Sequence, residues 1–245
     1  MEINYLFVLM NFLVGVIYLW IFFRFKTFLK MADESVNLAG YMSRAFGLIA
    51  AYFIFVIPST FLFLSYPRVV GFVHWVSDSF IYLGVSQIFI SILILVSSAA
   101  YFRWKKYVYI LTFAAILVHF YFHFVPSADH AIMNDWSVIS VIAVPSFINY
   151  APFLLWTISF LVCGFIFLFL AFRLKDRFAR RRSILISLSM LIFSLSYPFS
   201  RVLFYLDLPT LPPVLSFLAG ITGLYILTST SCIISIYSLL QKKPD

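Results

Sequence analysis

The stretch Pro152-Phe-Leu-Leu-Trp-Thr-Ile-Ser-Phe-Leu-Val-Cys-Gly-Phe-Ile-Phe-Leu-Phe-Leu-Ala-Phe172 carries no charge and then meets Arg173-Leu174-Lys175. About 20 apolar residues wound as a helix cover the ~30 Å hydrocarbon core of a bilayer. Lipid offers the backbone no hydrogen bonds, so only helices and closed barrels cross it, and a barrel would show short alternating segments. This run is continuous. It reads as a transmembrane helix.

Six more stretches of the same kind surround it: Tyr5–Phe23, Ala45–Leu64, Phe80–Phe102, Tyr107–Phe124, Ser183–Leu203 and Val214–Leu240. The whole chain is 64% hydrophobic and 11% charged, where a soluble domain carries about 25% charged residues. No connection is long enough to fold alone. The expectation is a single all-α, polytopic membrane helix bundle over residues 1–245, with seven transmembrane helices. Met1-Glu2-Ile3-Asn4-Tyr5 has no basic leader and no small-residue cleavage site, so it reads as a retained first helix. Cys163 and Cys232 fall inside spans and read as small packing residues.

Charge orients the bundle. Of the 17 basic residues, all but Arg68 and Arg201 fall after spans one, three, five and seven: Arg24, Lys26, Lys30, Arg44; Arg103, Lys105, Lys106; Arg173 to Arg182; and Lys242, Lys243. The positive-inside rule then puts the N-terminus outside and the C-terminus inside, in the cytoplasmic (inner) membrane. The net charge of +8 sits beside membrane ends, where it meets anionic lipid heads. The bilayer, not nucleic acid, is the partner it implies.

The inner segment from Lys26 to Arg44 is long enough to continue a helix beyond the membrane. The longest loop, Val125–Tyr150, holds the apolar stretch Trp136–Asn149, too short to span and read as interfacial or re-entrant, with Asn134 or Asp135 as its cap. Short strings recur. Phe22-Phe23-Arg24-Phe25-Lys26 matches Ala171-Phe172-Arg173-Leu174-Lys175, and Leu64-Ser65-Tyr66-Pro67 matches Leu195-Ser196-Tyr197-Pro198. They suggest a 3+1+3 internal repeat, about 5–106 and 152–243, with span four as linker.

No charge lies near the middle of any predicted span, and the seventh lacks a lysine for a Schiff base. Asn11, Gln87, Thr112 and the run from Thr228 to Ser231 read as interhelical hydrogen-bonding groups. His74, His119, His123 and His130 all belong to the outer side, with Asp78, Asp129, Asp135 and Asp207. His119 and His123, four apart on span four, share one helical face and are the metal-ligand candidates. The competing reading makes His119–Phe124 an aromatic belt whose polar tips reach the headgroups. His74, Asp78, His119, His123, Arg68, Arg201 and Asp207 are the candidate ligand-binding set. Within it, Arg68 and Arg201 either pair with Asp78 and Asp207 or take an anion. Pro67 and Pro198 are expected to end or kink spans two and six. Nucleotide loops, a Gly-x-Ser-x-Gly elbow and paired-cysteine zinc motifs are missing.

The order of features resembles the seven-helix N-terminal sensor region of prokaryotic histidine kinases. The residues that carry the likeness are Phe80-Ile81-Tyr82-Leu83-Gly84-Val85, the histidines closing span four, Arg180-Arg181-Arg182, and Asp207-Leu208-Pro209-Thr210-Leu211-Pro212-Pro213. The expectation here is that no kinase follows span seven. The resemblance thus implies a free-standing sensor, binding an unknown small ligand and signalling through a separate cytoplasmic partner. The first alternative is a small-solute transporter of two three-helix repeats, similar in architecture to SWEET-type transporters but without their Pro-Gln pair. The second is a metal-dependent hydrolase at the outer face. The residues name no cofactor.

Overall fold

A computed structural model describes residues 5–31, 37–62, 67–124, 130–134, 137–141 and 146–205, with helical residues at 218, 220–223 and 225–226. Six long helices account for most of these: α1 (Tyr5–Met31), α2 (Asn37–Leu62), α3 (Pro67–Val96), α4 (Ser98–Phe124), α5 (Ser146–Arg173) and α6 (Arg177–Tyr205). Four of them hold stretches long and apolar enough to cross a membrane: Val8–Thr27, Leu38–Ile57, Trp75–Val96 and Leu154–Arg173. Large apolar side chains also face outward, among them Trp20, Phe102, Leu111, Phe113, Phe165 and Phe172. A bundle apolar on both its inner and outer surfaces has lipid as its solvent. It is a membrane protein.

Consecutive helices run antiparallel. On α2, Ser43 Oγ–H donates to the carbonyl of Phe22 on α1 at 3.2 Å, and Tyr18 stacks on both Phe46 and Phe53. On α6, Ser183 Oγ–H donates to the carbonyl of Phe167 on α5 at 2.7 Å. Asp176 caps α6, its Oδ2 accepting from the Ala179 amide at 2.7 Å. This alternation gathers Arg24, Lys26, Arg44, Arg103, Lys105, Lys106 and the α5–α6 arginines at one end of the bundle, called here the basic end.

The helix order in space is a circuit. α1 packs on α2, α2 on α3, α3 on α5, and α5 on α6. Thr222 Oγ1–H then donates to the carbonyl of Ser189 on α6 at 3.3 Å. Gly220 and Gly223 lie against Val14, Ile17 and Tyr18 of α1, which closes the circuit. One continuous apolar core joins these elements, from Tyr18, Phe25 and Phe46 through Ile81 and Ile88 to Phe160, Phe167, Ile186 and Ile226. α4 lies outside the circuit, against α3.

Several boundaries differ from those read in the sequence. Pro67 opens α3 instead of closing the second span, because a proline in the first helical turn sacrifices no hydrogen bond. α3 therefore stops at Val96, and Ser97 alone separates it from α4. Hydrogen bonding runs through this break, from the Ser97 amide to Leu93 and from the Tyr101 amide to Ser97. α6 continues past Pro198 to Tyr205. The stretch expected as an interfacial segment is divided: Ser137–Val141 (β2) pairs antiparallel with His130–Asn134 (β1), and α5 begins at Ser146. Asn134 is thus a strand residue opposite Ser137, not a helix cap.

Helix contact in this bundle depends on glycine. A methyl group at position 15 would fall 2.9 Å from Ile54 Cγ1, and one at position 164 would fall 2.9 Å from Leu191 Cγ and 3.2 Å from the Ser187 carbonyl. At Gly220 the nearest atom among the described residues, Val14 Cγ2, stands at an ordinary 3.5 Å. Gly164→Ala is expected to destabilise the detergent-solubilised protein by about 1–3 kcal/mol through overpacking. Gly220→Ala should leave stability unchanged or raise it by up to about 1 kcal/mol, since alanine is the better helix former. Thermal or denaturant unfolding of the two variants checks the contrast.

Candidate functional site

At the end opposite the basic one, α3 meets α4 through a short polar seam. Along α3, Trp75, Asp78 and Tyr82 recur at the three- and four-residue spacing that puts them on one helical face. The same spacing on α4 turns Ile116 and His119 toward them. His119 Nε2 lies 2.9 Å from Asp78 Oδ2. His119 is 1% exposed and Asp78 14% exposed, so the contact is shielded from solvent. An ionised carboxylate only accepts, which makes His119 Nε2–H the donor whenever Asp78 carries its charge.

Aromatic side chains surround the pair. The Tyr82 ring meets the His119 imidazole edge to face, with centroids 5.6 Å apart. Trp75 Nε1–H donates to the Ile116 carbonyl at 3.4 Å, and its ring packs edge-on against Phe120 at 4.8 Å. The neighbouring hydroxyls are turned back onto α3: Ser77 Oγ–H donates to Val73 and Ser79 Oγ–H to Trp75. The seam therefore presents one carboxylate and one imidazole within an aromatic wall. Such a pair can hold a proton between two helices, orient the imidazole toward a ligand, or exchange one partner for a bound group.

The aromatic-belt reading of span four does not fit His119. Phe120 and Tyr121 are exposed on the apolar surface, whereas His119 is buried against α3 and does not reach outward. Asp78 lies inside the apolar stretch Trp75–Val96, not in a loop, and its described partner is His119. His74 and His123 are helical residues of α3 and α4, each one turn beyond the Asp78–His119 level. Arg68 lies in the first turn of α3 and Arg201 near the end of α6. The side chains of His74, His123, Arg68 and Arg201, and the whole of Asp207, lie outside the described residues. Among the described residues, no group of three or more His, Cys, Asp or Glu side chains is placed to hold a metal ion.

Sequence reading missed Trp75 and Tyr82, although their spacing from Asp78 carried the signal. It also assigned Gln87 and Thr112 to interhelical bonding. In the structure Gln87 Nε2–H donates to Ser86 Oγ at 3.2 Å, and Thr112 Oγ1–H donates to the Val108 carbonyl of its own helix at 2.8 Å. Three buried side-chain oxygens, Gln87 Oε1 on α3, Thr157 Oγ1 on α5 and Ser187 Oγ on α6, have no hydrogen-bond partner among the described residues.

Comparison with known protein families, with curated proteins and with solved structures finds no match to this chain.

Removing either partner of the seam strands the other in a poorly solvated place, which costs about 3–5 kcal/mol when a buried pair is broken. Asp78→Ala and His119→Ala should therefore each lower unfolding stability by several kcal/mol. The double variant should lose much less than the sum of the two, with a coupling energy above about 1 kcal/mol. Additive losses in that mutant cycle would show that the two side chains do not act as a unit.

Proposed function

We propose that this chain is a seven-helix membrane sensor whose ligand acts on the α3–α4 seam and whose output passes to a separate cytoplasmic partner. The buried Asp78–His119 contact carries the reading. It joins two ionisable side chains across helices otherwise held by the Trp75–Ile116 hydrogen bond and by aromatic and aliphatic packing. A ligand that replaces one of its members changes the free energy of α3 against α4 by an amount able to shift a conformational population. Positive-inside charge supports placing the basic end in the cytoplasm and the seam toward the outer face of the inner membrane.

A transporter is the second reading, favoured by the parallel between the two helix pairs. Gly15 lies over Ile54 and the Ala50 carbonyl, and Gly164 lies over Leu191 and the Ser187 carbonyl. Ile54 precedes Leu191 by the same number of residues as Ala50 precedes Ser187. Two halves closed into a circuit, with α4 outside it, fit a 3+1+3 arrangement. Gln87 Oε1 and Ser187 Oγ would be the first groups to consider for a polar solute.

One pair of variants separates the readings. A photocrosslinker at position 106, on the basic end of α4, should trap a discrete cytoplasmic protein in cells, and His119→Asn should change that adduct's yield several-fold. An adduct indifferent to His119, or no adduct at all, would sink the sensor reading. Solute uptake by proteoliposomes that fails in Gln87→Leu and survives in His119→Asn would establish transport in its place.

A further inference from the structure

At the basic end, α2 and α4 enclose a second polar cluster that the seam does not use. The Tyr41 and Tyr101 hydroxyls lie 3.0 Å apart, and both rings are buried. Lys105 Nζ–H donates to the Tyr101 hydroxyl at 2.9 Å. The same ammonium stands 5.4 Å from the Tyr41 ring centroid and 5.1 Å from that of Tyr101. The Arg44 guanidinium stands 4.5 Å from the Tyr41 centroid. Two cations thus share one aromatic ring.

The donors of this cluster are only partly used. Arg44 Nε–H donates to the Gly40 carbonyl at 3.2 Å, leaving both terminal nitrogens of the guanidinium without a partner among the described residues. Lys105 spends one of its three ammonium protons on Tyr101. No described carboxylate pairs with either cation; the one ion pair between described residues is Asp78 with His119. The hydrogen bond to Tyr101 and the nearby Tyr41 hydroxyl hold the Lys105 ammonium above its usual range. Both cations stand beside the same Tyr41 ring, and an anion bound to both would offset their mutual repulsion.

We propose that Arg44, Lys105 and the Tyr41–Tyr101 hydroxyl pair bind a phosphate group. The arginine fork and the lysine ammonium suit tetrahedral oxygens, the fork in bidentate fashion and the ammonium as a point charge. The way in is from the membrane surface. Phe102, Trp104 and Tyr107 flank Lys105 on the exposed face of α4, an aromatic girdle of the kind that sits at headgroup depth. An anionic lipid headgroup and free phosphate present the same chemistry here, and the measurement distinguishes them.

The test uses the full chain, delipidated in detergent, with native mass spectrometry of lipid adducts. Phosphatidylglycerol, phosphatidylcholine and inorganic phosphate are titrated separately. The expected result is a discrete phosphatidylglycerol adduct weakened about tenfold or more by Arg44→Gln/Lys105→Gln, the loss of two charge-assisted hydrogen bonds. Arg177→Gln/Arg181→Gln removes the same charge from exposed positions on α6 and should change the adduct less than about twofold, as for a rim charge. Tyr41→Phe/Tyr101→Phe keeps the rings and the cations and should weaken the adduct by an intermediate amount. Phosphate binding that depends on Arg44 and Lys105, without a lipid adduct, assigns the site to a soluble phosphate. Equal loss in both charge variants, or binding of neither phosphate source, overturns the proposal.

Discussion

In lipid, helices gain little by hiding apolar side chains from a solvent that is itself apolar. What holds them together is close contact and a few polar bonds. The rest of this structure follows from that constraint. Gly15, Gly47, Gly164 and Gly223 each bring a neighbouring side chain to within 2.7–2.9 Å of where a Cβ would stand. Each such approach recruits many weak dispersion contacts along the adjoining turns. Serines act at the same interfaces: Ser43 and Ser183 each bond a carbonyl of the preceding helix, near its basic end. The aromatic column of Tyr18, Phe25, Phe46 and Phe53 then fills the space left between α1 and α2.

Against this apolar background Asp78 and His119 are expensive. Removing a carboxylate from water costs several kcal/mol even after relaxation, and an imidazole partner offsets only part of that. Leucine and phenylalanine would fill the same space between α3 and α4 at no such cost. Half of the other buried polar groups among the described residues are hydroxyls that bond their own helix, as Ser77, Ser91, Ser159 and Ser189 do. Those are neutral and locally satisfied. The Asp78–His119 contact instead joins two ionisable side chains on different helices, which is why the functional reading is attached to it.

The sequence conveyed the bundle because hydropathy is a local property. An uncharged run such as Pro152–Phe172 forms a helix almost regardless of its neighbours, and α5 contains it entirely. The points where the reading failed depend on partners distant in the chain. His119 sits between Val118 and Phe120, both exposed on the outer surface, and only the position of α3 shows that it points the other way. The β1–β2 hairpin was hidden because residues 130–141 mix Ser, Asn and Asp with Val and Ile, so a short apolar run was not recognised as one strand of a pair. Pro67 was read as a terminator when it is a start, since proline tolerates both positions. Tyr41 and Tyr101 meet across 60 residues of sequence, and nothing in their local context signals it.

α4 is held differently from every other helix. It lies outside the circuit, its outward face lined by Ile110, Leu111, Phe113, Leu117 and Tyr121. Its polar ties sit at its two ends: Asp78 with His119 at one, and Tyr41 with Tyr101 and Lys105 at the other. Between them the contacts of Ile90 and Leu93 with Val108 and Tyr109 are apolar and non-directional. A helix tethered this way has few ways to move. Ser97 alone separates it from α3. Asp78 and Tyr41 belong to different helices, so the two ends of α4 are tied to separate partners. Coupling between distant sites requires an element with alternative positions that both sites bias. The sensor proposed above would need α4 to be such an element, with its two end ties as the points where each site acts on it.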